Sequence, residues 1–227
     1  AVHAYLSEHL AGFEGPMEVT KFQGGQSNPT FMLETPTHSY VLRRKPPGVL
    51  LKSAHAVDRE FRVQKALEGS DVPVSKMHLL CEDDSVIGSI FYIMDHVKGR
   101  NFNEPAMPDV SVADRGRITS EMNRVLAALH SVDINAVGLG DYGPEGNYFE
   151  RQVGRWSKQY RASETAPIPA MDQLMDALVG EPPEDDGQRT LVHGDYRIDN
   201  MIFDATGTQC RAVLDWEGVG DDAGDAV

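Results

Sequence analysis

Two short stretches near the start of the chain are rich in apolar and β-branched residues and are separated by a glycine-containing polar turn. Met17-Glu18-Val19-Thr20-Lys21-Phe22 and Thr30-Phe31-Met32-Leu33-Glu34 read as strands, with Gly24-Gly25-Gln26-Ser27-Asn28 as the tight turn between them. A third strand, Tyr40-Val41-Leu42-Arg43-Arg44-Lys45, is stopped by Pro46-Pro47. Residues 56–67 then change period: Val57, Phe61, Val63, Ala66 and Leu67 fall at helical spacing. The run from Val86 to Met94 is almost wholly apolar and predicts a further strand, followed by the polar Asp95-His96-Val97-Lys98-Gly99-Arg100.

The second half is more helical. Ser111-Val112-Ala113-Asp114 resembles a capping box, and Ile118, Met122, Val125, Leu126 and Leu129 recur at helical spacing up to His130. Tyr148 to Arg161 predicts an amphipathic helix with its aromatics in a core, or alternatively an aromatic and cationic face for an acidic or acyl substrate. Glycine-rich residues 138–147 and the acidic, proline-containing residues 180–187 read as loops. Strands first and helices afterwards imply an α+β chain, with a small antiparallel β lobe over residues 1–96 and a mainly helical lobe over 97–227.

Composition mostly excludes. A net charge of -14 argues against nonspecific nucleic-acid binding, although it could attract a polycation. No run of about 18 apolar residues is present, so no membrane association is expected. Cys81 and Cys210 lack metal spacing and fit a reducing, cytoplasmic setting. The eight histidines are scattered, so a structural zinc site is not expected.

Chemistry concentrates near the C-terminal end. Leu191-Val192-His193-Gly194-Asp195-Tyr196-Arg197-Ile198-Asp199-Asn200 is followed by Val213-Leu214-Asp215-Trp216-Glu217, with Asp215 fifteen residues after Asn200. Phosphoryl transfer needs a carboxylate that orients the attacking hydroxyl and accepts its proton, an amide oxygen that helps hold magnesium, and a second carboxylate for the metal. Asp195, Asn200 and Asp215 can fill these three roles, and the five-residue step from Asp195 to Asn200 is that of a kinase catalytic loop. Arg197 could offset charge on the transferred phosphate, whereas His193 is assigned to holding the loop.

These paired motifs, H-G-D-x-x-x-x-N and D-W-E, resemble the aminoglycoside phosphotransferase family, a branch of the protein-kinase-like fold that includes choline and homoserine kinases. The resemblance implies ATP and Mg2+ as cofactors, a small-molecule hydroxyl as acceptor, and a nucleotide-binding role for the first lobe. It places Gly24, Gly25, Ser27 and Asn28 against phosphates, Arg43 (with Lys45 as runner-up) at the phosphate-binding lysine position, and Glu60 as the charge partner of Arg43. It further places adenine contacts on the main chain of Asp95 and Val97, beside Met94. Arg43-Arg44-Lys45-Pro46-Pro47-Gly48 and Ser53-Ala54-His55-Ala56-Val57-Asp58-Arg59-Glu60 resemble the subgroup formed by the kinase domains of acyl-CoA dehydrogenase 10/11-type proteins, which suggests a hydroxyacyl metabolite more than an antibiotic. Family members continue into further helices, so the chain is expected to cover most but not all of the family domain.

Overall fold

The computed structural model describes residues 1–22, 28–46, 57–143, 146–182 and 189–218. The predicted glycine turn, including Gly24, Gly25 and Ser27, lies outside the described residues. The chain divides into two compact units, residues 1–140 with 190–227, and residues 141–189.

The first unit opens with α1 (Val2–His9), followed by β1 (Glu18–Lys21), β2 (Thr30–Glu34) and β3 (Ser39–Arg44). Helix α2 (Val57–Leu67), β4 (Met77–Cys81) and β5 (Phe91–Asp95) complete a five-stranded antiparallel sheet of order β1-β2-β3-β5-β4. Strand alternation sorts the core into two faces. Tyr40 and Leu42 of β3 and Phe91 and Ile93 of β5 pack with Leu6 and Leu10 of α1. Val41, Tyr92 and Met94 face the other way, clustering with Val57 at the start of α2. Each fully buried leucine or phenylalanine contributes about 1.5–3 kcal/mol. Arg43, two residues after Val41, is thereby delivered to the α2 face.

One predicted strand is shorter than its apolar run. Val86–Ile90 is not extended; residues 84–87 form a turn and Gly88 takes φ +79°. Val86 and Ile87 are apolar because they pack on the α1-side core from that turn.

Helix α3 (Val112–His130) is capped by Ser111, whose hydroxyl accepts from the Asp114 N–H. Later in this unit a short ribbon pairs β6 (Met201–Phe203) with β7 (Cys210–Val213). The ribbon's turn is fastened by Asp204, which accepts from Thr206 and from the N–H groups of Thr208 and Gln209.

The second unit contains α4 (Tyr148–Ser163) and α5 (Pro169–Gly180). No residue of α4 is buried, and Tyr148, Phe149 and Trp156 are exposed. The expectation of a core for the α4 aromatics is therefore corrected: the helix is amphipathic and lies against α5, but among the described residues none of its own side chains is buried. Among the described residues, no helix is long and apolar enough to cross a membrane.

Candidate active site

The loop before β6 is held by main-chain geometry. Gly194 takes φ +83°, and a Cβ there would lie 2.2 Å from the carbonyl oxygen of Gly218, so only glycine lets the two segments pass. His193 joins the same two segments. Its Nε2–H donates to the Leu214 carbonyl at 2.9 Å, and its Nδ1 accepts from the Asp195 N–H at 3.3 Å. Burial keeps this imidazole below its usual pKa, which suits a neutral ring with one donor and one acceptor.

Asp195 is fixed from the other side. Asn200 Nδ2 donates to Asp195 Oδ2 at 2.9 Å and to its carbonyl at 3.0 Å, closing the loop through one amide. Holding Nδ2 at two points fixes the plane of the Asn200 amide and with it the direction of the amide oxygen. The carbonyl of Asn200 accepts from the Leu214 N–H at 2.8 Å, which brings the Asp215 segment alongside. Asp215 itself sits at φ +63°, and Trp216 anchors behind it by donating to the Val213 carbonyl at 2.8 Å. Arg197 turns back on its own loop, making a two-point contact with Asp199 at 2.7 Å for each bond.

Arg43 collects three carboxylates: Glu60 at 3.0 Å, Asp215 at 2.7 Å and Glu217 at 3.4 Å. Asn28 Nδ2 donates to Glu60 at 2.8 Å and to Glu217 at 3.2 Å, so its side chain faces these carboxylates. Tyr92 donates to Glu60 at 2.8 Å. Glu217 and Tyr92 are members of this network that sequence reasoning left without a role; the step of two from Asp215 to Glu217 was the available signal. Lys45, the runner-up to Arg43, contributes no ion pair among the described residues.

Burial pushes the Glu60 carboxyl up to about 7, against the opposing pull of Arg43 and the Tyr92 hydroxyl. In the unfolded chain an ordinary glutamate releases its proton near pH ~4.3. Between these values the native state binds more protons, so this group's contribution to stability falls as pH rises from roughly 4.5 to 7, by up to roughly 3 kcal/mol. Glu60→Gln should flatten that part of the profile, as read from urea midpoints at pH 5 and pH 8.

Beside the network lies a cavity of about 200 Å³. Val41 and Ile202 give it apolar walls, Met94, Asp95 and Val97 supply one edge, and Asp215 and Arg43 stand at another. Asp195, Asn200 and Arg197 belong to the adjoining loop and do not line it.

A model of the phosphotransferase enzyme family matches residues 18–223. The chain belongs to that family. Among curated relatives of this phosphotransferase chain, acyl-CoA dehydrogenase family member 11 of Rattus norvegicus is 48% identical over 221 residues, covering 96% of the chain and 28% of the relative. Family member 10 of Mus musculus is 46% identical over 218 residues, covering 96% and 20%. A crystal structure from Ralstonia eutropha, assigned by its description to the aminoglycoside phosphotransferases, is 52% identical with a TM-score of 0.86, covering 96% of this chain and 65% of that one. The chain thus spans about a quarter of the curated relatives and under two thirds of that structure. A ternary complex of APH(4)-Ia with AMP-PNP and hygromycin B, 18% identical at a TM-score of 0.66 over 96% of this chain and 71% of that one, shares the kinase-like α+β fold.

Proposed function

We propose that this phosphotransferase chain moves the γ-phosphoryl group of ATP to a hydroxyl of a small molecule, and that the acceptor is a hydroxyacyl metabolite. The observation that carries the reading is the meeting of Arg43, Glu60 and Asp215 at the rim of a cavity edged by Asp95 and Val97. Residues 1–96 form the nucleotide-binding lobe and 97–227 the catalytic lobe. Adenine lies between Val41 and Ile202, with the Asp95 carbonyl accepting from the base and the Val97 N–H donating to it. Gly24, Gly25 and Ser27 cradle the phosphates together with the main chain of Asn28, whose side chain is turned to Glu60 and Glu217, and Arg43 contacts them. Asp195 orients the acceptor hydroxyl and takes its proton, while Arg197, released from Asp199, offsets charge on the transferred group.

The donor set suits Mg2+. Asp215 and Asn200 offer a carboxylate and an amide oxygen, hard ligands of the kind magnesium prefers, and the amide is already oriented by its bonds to Asp195. Three carboxylates around one guanidinium leave an excess of negative charge for a cation to neutralise. Bound there, the metal supplies charge neutralisation at the phosphates.

The hydroxyacyl class is supported by the relatives that share nearly half of this sequence, which are acyl-CoA dehydrogenase family members. A second reading, a nucleotide-binding module without turnover, is favoured by one contact: Arg43 holds the Asp215 carboxylate that the metal needs. ADP release by the full-length protein, with hydroxyacyl and aminoglycoside acceptors in parallel, separates these readings. Magnesium-dependent turnover on hydroxyacyl compounds is expected, with magnesium-dependent ATP binding lost in Asp215→Asn. Turnover on aminoglycosides alone would replace the acceptor class, and binding without turnover on any acceptor would leave the inactive module.

A further inference from the structure

The fold assembles two of the scattered histidines at one corner of the sheet. His38 closes the β2–β3 turn, where its N–H donates to Thr35 Oγ1 and its carbonyl accepts from the Thr35 hydroxyl, both at 3.0 Å. His78 owes its direction to a bulge. Met77 pairs with Met94 and Leu79 with Ile93, so β4 spends two residues where β5 spends one, and His78 is the extra residue. Such insertions re-aim side chains, and here the imidazole meets Asp95, the last residue of β5.

Both Nε2 atoms donate to the same carboxylate oxygen, Asp95 Oδ1, His38 from 2.8 Å and His78 from 2.5 Å. Partial burial of Asp95 opposes ionisation, but the two imidazoles outweigh it and hold the carboxyl below its usual pKa. The three candidate donor atoms lie within 4.8 Å of one another. The two imidazole planes are perpendicular, with centroids 6.1 Å apart. The buried ring of Tyr40 packs on both, at 4.3 Å from His38 and 5.3 Å from His78, which limits the rotamers either can take.

We propose that His38, His78 and Asp95 form a binding site for a zinc-like divalent transition-metal ion. Two imidazole nitrogens and a carboxylate oxygen are the donors Zn2+ accepts, and three protein ligands leave a fourth position for water. Tetrahedral metal bonds of about 2.0–2.2 Å would hold the donors about 3.4 Å apart, so both imidazoles would move back from Asp95 Oδ1, which they now approach to 2.8 and 2.5 Å. The side chains of His38 and Asp95 are 42% and 30% exposed, which leaves a path for entry.

His38 and His78 lie outside the cavity wall, whereas Asp95 belongs to both the cluster and the cavity edge. Asp95 N–H donates to the Lys76 carbonyl and His96 N–H to the Ser39 carbonyl, so one ion would clamp the ends of three strands where the chain enters the cavity edge.

The test is a Co2+ titration of the full-length protein, followed by visible absorption in excess Mg2+ to occupy oxygen-rich sites. One equivalent should bind with the intense bands of low coordination and be displaced by Zn2+. His38→Ala and His78→Ala should each weaken binding at least about tenfold. His38 is exposed and outside the core, so that variant keeps the fold even if His78→Ala does not. Undiminished bands in folded His38→Ala, or no Co2+ uptake by the folded wild type, would overturn the proposal and leave two imidazoles sharing one carboxylate.

Discussion

Asp195→Asn should lower turnover about 10³-fold while leaving ATP binding and the unfolding midpoint close to the wild type. The substitution is nearly isosteric, and the new amide can still present an oxygen to Asn200 Nδ2, which now donates to Asp195 Oδ2. What disappears is the capacity to take a proton from the acceptor hydroxyl. The cavity wall does not include residue 195, so nucleotide affinity has no reason to change. Initial-rate kinetics with ATP and acceptor varied separately, alongside calorimetric ATP binding, would check this. A loss of less than tenfold in kcat would remove Asp195 from proton transfer and leave it a positioning residue at most.

The second large effect concerns stability. Arg43→Ala should cost about 3–5 kcal/mol at pH 8, because it strips a buried carboxylate of its cation. Glu60 is only 1% exposed, and Arg43 also separates it from Asp215 and Glu217. The cost should shrink towards pH 5. With the guanidinium gone, the pull that opposes burial vanishes, so Glu60 keeps its proton to still higher pH and the buried charge is avoided. Adding Glu60→Gln should recover part of the loss at pH 8, a coupling that a double-mutant cycle in urea would measure. Equal costs at both pH values would mean that Glu60 is not the group that responds. Arg43→Lys is not a neutral change either, since a single ammonium cannot fork between Glu60 and Asp215 as the guanidinium does.

Much of the fold was written in local pattern. Strand β2 falls on Thr30–Glu34 as the apolar run after the glycine turn predicts, and α3 begins behind Ser111 because the cap is carried by adjacent residues. The meeting of Arg43 and Glu60 was implied by the family resemblance and is found, with Arg43 on the face of the sheet that α2 covers. Other elements carried weaker signals. Helix α1 has a single buried residue, Leu6, and strands β6 and β7 have three and four residues, too few for a period to show. Strand β4 hid its register in the bulge at His78, which puts Met77 and Leu80 on one face although they are three apart. Val86–Ile90 misled because an apolar run records burial and not backbone conformation. The convergence of Asn28, Tyr92 and Glu217 on two charges, and of His38, His78 and Asp95 on each other, comes from residues up to 189 positions apart, which no local window holds.

The β6–β7 ribbon has a consequence for how this chain can vary. Asn200 ends the segment entering one arm and Asp215 begins the segment leaving the other, while Leu214 N–H bonded to the Asn200 carbonyl closes the base. The spacing of Asn200 and Asp215 in space is thus set at the base of the ribbon, and the number of residues between them is spent on its far tip. Lengthening the turn around Thr206 and Gly207 would leave the hydrogen bond at the base in place, so sequence length there is decoupled from the separation of Asn200 and Asp215.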